Sequence, residues 1–266
     1  MISVEDNFGL PHMDDREMAC VILPDLDYEA QLVAIADVLR RHNKEDEHTA
    51  AQIKEVEEFA RRTTGLRNEH AVDEWIDLLQ GSTYQEAAHS MAAIGMIAPL
   101  IESLFYQAFQ GIRAVYYGAD VVPTGSPRSS IGDADKFWDC HVIYDPKQKK
   151  NKKDLVSGIV DLADAVGLKP HIPAELLPML PALYRYRNKM FHFGFEWPAR
   201  QCMSFSKEIT KEAWQPWFSS ATRDDVPFIF YMTEAFVQGS LASVHELLNG
   251  FGAYCASKTP TGSIQT

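Results

Sequence analysis

The chain has 266 residues, enough for one large domain or two small ones whose core needs no metal or disulfide staple. Hydrophobic residues make up 46% and charged residues 23%, which excludes a disordered or collagen-like chain. The net charge of −12 argues against a general nucleic-acid binder, yet residues 1–82 hold 19 acids and 8 bases while residues 147–195 hold 9 bases and 4 acids, so a local positive field is available late in the chain.

Residues 1–27 read as an irregular arm with turn signals at Pro11 and Pro24. Leu32, Ile35, Ala36 and Leu39 fall at helical spacing and predict a helix from Tyr28 to Asn43. A second helix is predicted from Glu47 to Thr64, with Gly65 as its stop, and a short third from Ala71 to Gln80. Thr83 stands three residues ahead of Glu86, the spacing of a capping box, and opens an apolar run from Tyr84 to Tyr117 that Pro99 should kink or split. Residues 119–133 are a loop by composition, and 134–144 suggest another short helix.

Five lysines between Lys147 and Lys153 form a charged loop ahead of a helix from Asp154 to Val166, closed by Gly167. Pro181 suits the first turn of a helix that ends at Phe193 and Gly194. Cys202 to Ile209 alternates weakly, as a short strand or extended loop would, and a last helix is expected from Pro227 to Tyr254. The fold class is therefore all-α, a helical bundle over 83–256 with an acidic helical region over 1–82 and a polar, disordered tail over 257–266.

Cys20, Cys140, Cys202 and Cys255 lie far apart without a Cys-x-x-Cys pair and read as reduced residues of a cytoplasmic protein. The acidic first 25 residues do not resemble a signal peptide, and the apolar stretch from Met91 to Ile101 is too short to span a bilayer, so no membrane partner is expected. Glu45-x-x-His48 and Glu86-x-x-His89 match the spacing of di-metal bundles, but with 9 histidines in the chain such pairs arise by chance, and no metal or other cofactor is expected.

The informative segment is LYRYRNKMFHFGFEWP, residues 183–198. Arg187 offers a permanent cation that grips phosphate bidentately, His192 moves protons near neutral pH, and Asn188 can fix a ligand or orient the histidine. Together they suit metal-free cleavage of a phosphodiester. Five residues along a helix turn through about 500°, roughly 140° away from a shared face, so two copies of the chain around a two-fold axis would bring these groups together more readily than one. The structural alternative has Arg187 paired with an acid such as Glu102 or Glu196 and His192 packed in the core.

Arg187, Asn188 and His192 resemble the Arg-x4-6-His signature of the HEPN superfamily. The resemblance implies a small α-helical bundle, dimeric, with metal-independent ribonuclease activity in toxin–antitoxin, phage-defence or RNA-processing systems. It implies that Arg187 and His192 form the catalytic pair and that Asn188 assists. Lys150, Lys152, Lys153 and Arg185 are then candidate contacts to RNA phosphates, and Glu102, a carboxylate within an apolar helix, is a candidate support for Arg187 or His192. The expected partners are RNA or a nucleotide, a second copy of the chain, and an antitoxin or other protein. The alternative is a non-catalytic helical module that binds a nucleotide or protein in the same groove.

Overall fold

The computed structural model describes residues 14–24 and 27–258. The expected tail therefore lies outside the described residues from 259 onward, as does most of the N-terminal arm. The described chain is mostly helical, with eight α-helices and two short hairpins, which bears out the all-α class.

Helix α1 (Asp15–Ala19) carries a capping box between Asp14 and Glu17. Helix α2 (Tyr28–Arg62) is one continuous helix where two were expected. Lys44, Glu45 and Asp46 bridge the gap, and no glycine or proline is there to break it.

Helix α3 (Leu66–Ile112) is likewise unbroken across Gly81, Thr83 and Pro99. The Thr83 hydroxyl donates back to the Leu79 carbonyl at 3.1 Å, and Ser82 does the same at 2.9 Å, so neither caps a new helix. Pro99 costs a helix about 3 kcal/mol. Around it Ile94, Ile97, Leu100 and Ile101 are buried, each contributing about 1.5–3 kcal/mol. Burial outweighs the missing bond. Counted with the π-helical turn that follows, Leu66–Tyr117 is long enough and holds an 18-residue window apolar enough to cross a membrane by length and composition, and 56% of that window is buried within the fold. The helix runs on past Glu102 to the end of the apolar run expected at Tyr117.

The chain divides into two compact units. The first holds residues 14–24, 103–177 and 244–258 of the described chain. Here α4 (Ala134–Phe137) is much shorter than expected, and the following residues enter an antiparallel hairpin of β1 (Val142–Asp145) and β2 (Lys150–Lys153). Arg128 organises this region. Its buried guanidinium donates to the carbonyls of Phe137, Val142 and Asp139 at 2.7, 2.6 and 2.6 Å. Helix α5 (Leu155–Val166) starts at the Asp154 cap and ends at Gly167 (φ +77°), as the sequence suggests. The N-terminal segment docks by close backbone approach: a Cβ on Gly252 would fall 1.5 Å from the Asp15 carbonyl oxygen.

The second unit holds residues 27–102 and 178–243. Helix α6 (Leu176–Phe193) starts before Pro181, which lies inside it, and ends at Gly194 (φ +73°). Residues expected to be extended form helix α7 (Ala199–Lys211), whose apolar positions Cys202, Phe205 and Ile209 are spaced at three and four and are buried. Strands β3 (Phe218–Arg223) and β4 (Val226–Met232) form a hairpin where the last helix was expected to begin. Its two-residue turn places Asp224 and Asp225 at φ of 51° and 61°. Tyr186, Trp197, Phe205, Phe218 and Phe230 interlock beneath it, with ring centroids 5.1–6.2 Å apart. Helix α8 (Glu234–Lys258) follows.

Candidate functional site

The C-terminal half of α6 is amphipathic. Tyr184, Tyr186, Lys189 and Met190 are buried, while Arg185, Asn188, Phe191, His192 and Phe193 face solvent and Arg187 is half-buried. The inner face is anchored firmly. Tyr184 donates to the Ala98 carbonyl at 3.0 Å and Tyr186 to the Phe230 carbonyl at 2.9 Å. The Lys189 ammonium, 2.9 Å from Gln201 Oε1, lies over the rings of Trp197 and Phe205, and burial lowers its pKa.

On the outer face, Arg187 lies over the Phe191 ring at 5.6 Å, and its Nη1 is 3.4 Å from Asn188 Oδ1. Among the described residues Arg187 forms no ion pair. Glu196, named above as a possible partner, instead accepts from the Tyr84 hydroxyl. His192 is exposed, so it is not a packed core histidine. Phe191 and Phe193 remain 55% and 39% exposed, a large apolar area beside polar groups. No contact joins Arg187 to His192 within one chain among the described residues.

The other predicted residues are placed differently. Arg185 is held by Glu208 through two bonds of 2.6 Å. The pairing raises the Arg185 pKa and holds Glu208 below the usual carboxylate value. Lys150, Lys152 and Lys153 are exposed on β2 in the first unit, with Lys152 Nζ 4.0 Å from Asp154. Glu102 is half-buried at the last α3 position of the second unit.

Sequence reasoning missed a second locus. A cavity of about 330 Å³ in the second unit is lined by His42 and Asp46 of α2, Glu86, His89 and Ser90 of α3, and Tyr231 of β4, among others. Its size is at the lower end of small-molecule sites. The rings of His42 and His89 stack with centroids 4.3 Å apart and planes 4° from parallel. Burial, and then the neighbouring His89, lower the His42 pKa. Burial and nearby Asp46 raise Glu86 above the usual carboxylate range, against a hydrogen bond from Tyr231. The spacing Glu86-x-x-His89 was visible in the sequence. Its partners were not, because the expected break after Asn43 left Asp46 outside both helices and separated it from His42.

No family model, curated protein or solved structure matches the chain.

Proposed function

We propose that the chain is a metal-independent endoribonuclease of HEPN type that works as a homodimer. The observation that carries this reading is the outer face of α6: a guanidinium committed to no carboxylate, an amide and an exposed imidazole lie within six residues, flanked by two exposed phenylalanine rings. A structural arginine at such a place would be paired, as its neighbour Arg185 is.

In this reading His192 takes the proton of a ribose 2′-hydroxyl, whose oxygen attacks the adjacent phosphorus and expels the 5′-oxygen. Arg187 stabilises the charge that builds on the phosphoryl oxygens, and Asn188 orients the phosphate or the imidazole. Arg187 and His192 point about 140° apart around one helix, so the residues meet across a two-fold contact, with Phe191 and Phe193 supplying its apolar part. The β2 lysines supply diffuse attraction for RNA. Arg185 contributes by tying α6 to α7 and is not free to grip phosphate.

Cleavage of labelled RNA in excess EDTA tests the reading. The wild-type chain should cleave, and His192→Ala and Arg187→Ala should each lose at least about 100-fold. Cleavage that survives both changes removes these roles. RNA binding without any cleavage selects the non-catalytic binding module.

A further inference from the structure

Away from the α6 motif, the facing sides of α2 and α3 in the second unit hold an unused set of donors. His89 Nδ1 lies 2.8 Å from Asp46 Oδ1. Behind it, Gln85 Nε2 donates to Asp46 Oδ1 at 2.9 Å, and Thr49 Oγ1 is 3.3 Å from Gln85 Oε1. A carboxylate on Nδ1 keeps the ring proton there and leaves the Nε2 lone pair directed outward. That Nε2 is 3.7 Å from Glu45 Oε2. The separation is too long for a hydrogen bond. It is close to the roughly 3.4 Å between two donor atoms on a tetrahedral ion with bonds of about 2.1 Å. His42 stands three residues before Glu45 and shares its helix face.

We propose that His42, Glu45 and His89 bind one divalent transition-metal ion of the zinc class, with water in the fourth position. Two imidazoles and a carboxylate are a donor set suited to such an ion. No lysine or arginine lines the adjoining cavity, whereas Asp46, Glu86 and Glu234 do, so the surroundings favour a cation. Parallel rings cannot both point their lone pairs at one ion, so binding turns His42 out of its stack. The buried His42 Nδ1 has no hydrogen bond to resist that turn. Asp46 is a positioning residue, since it orients His89 without touching the ion.

A competing cluster lies in the first unit, where donor atoms of Asp139, Cys140 and His141 fall within 4.8 Å of one another. It closes on itself, because Asp139 Oδ1 accepts from the His141 backbone N–H at 2.9 Å and is 2.7 Å from His141 Nδ1.

Calorimetric titration of the tag-free, full-length chain with zinc chloride tests the proposal. One ion should bind per chain, with a dissociation constant below about 10 µM. Glu45→Gln, at an exposed position that should not affect folding, and His89→Ala should each weaken binding by at least about 30-fold. Asp46→Asn should weaken it by about 10-fold or more while circular dichroism of the metal-free variant stays unchanged. Binding weaker than about 100 µM overturns the site. So does wild-type affinity in both His89→Ala and Glu45→Gln, or a loss of binding that follows Cys140→Ser instead.

Discussion

Arg185 and Arg187 are two residues apart on one helix and have opposite fates. Arg185 is locked to Glu208, and Arg187 rests on an aromatic ring. The spacing Arg-x4-His was plain in the sequence, but nothing there distinguished the paired arginine from the unpaired one, because Glu208 is twenty-three residues away on α7. The pair also has a pH signature. Its hydrogen bonds hold Glu208 below the ordinary carboxylate value, so its contribution is fully present above that value and is lost as the pH falls through the lower folded-state value. Glu208→Gln should lower the melting temperature at pH 7 by roughly 1–3 °C, a modest effect because the arginine is half exposed. The difference from wild type should shrink as the pH is lowered well below the ordinary carboxylate value. An equal deficit at neutral and at acidic pH would show that the ion pair is not the cause.

At the scale of elements, helical spacing put Leu32 and Leu39 on a buried face of α2, but the ends of α2 and α3 were set poorly. Capping signals failed where a local competitor existed, as when the Thr83 hydroxyl turned back to Leu79. They succeeded where the cap was uncontested, as at Asp154 and Gly167. The β3–β4 turn was hidden because Asp224 and Asp225 occupy left-handed positions usually filled by Asn-Gly. Tertiary glycines were equally silent in the sequence. Gly252 reads as an ordinary helical residue, yet it is where the Asp15 backbone lies against α8. Gly252→Ala should therefore cost about 2 kcal/mol or more and lower the melting temperature by several degrees. A helical glycine without that contact would instead gain stability on the same change, by up to about 1 kcal/mol. Thermal unfolding of the variant separates the two signs.

For the whole molecule, composition indicated a helical protein with an acidic N-terminal third, and both hold. The α3 helix is continuous across residues 82 and 83, where the charge balance changes, so a shift in composition did not mark a break in structure. The histidine cavity was invisible at this scale because it needs α2 and α3 to be long enough to face each other over several turns. The α6 motif was legible because its chemistry lies within one short segment. Among the described residues no contact joins Arg187 to His192 within one chain, and the proposed dimer would supply each with the other. Mixing two inactive variants tests this most directly. If Arg187 of one copy works with His192 of another, combining Arg187→Ala with His192→Ala should restore RNA cleavage in EDTA to about a quarter of wild-type, because half the dimers would be mixed and each would hold one intact site. A mixture as inactive as either variant alone would contradict a site shared between copies.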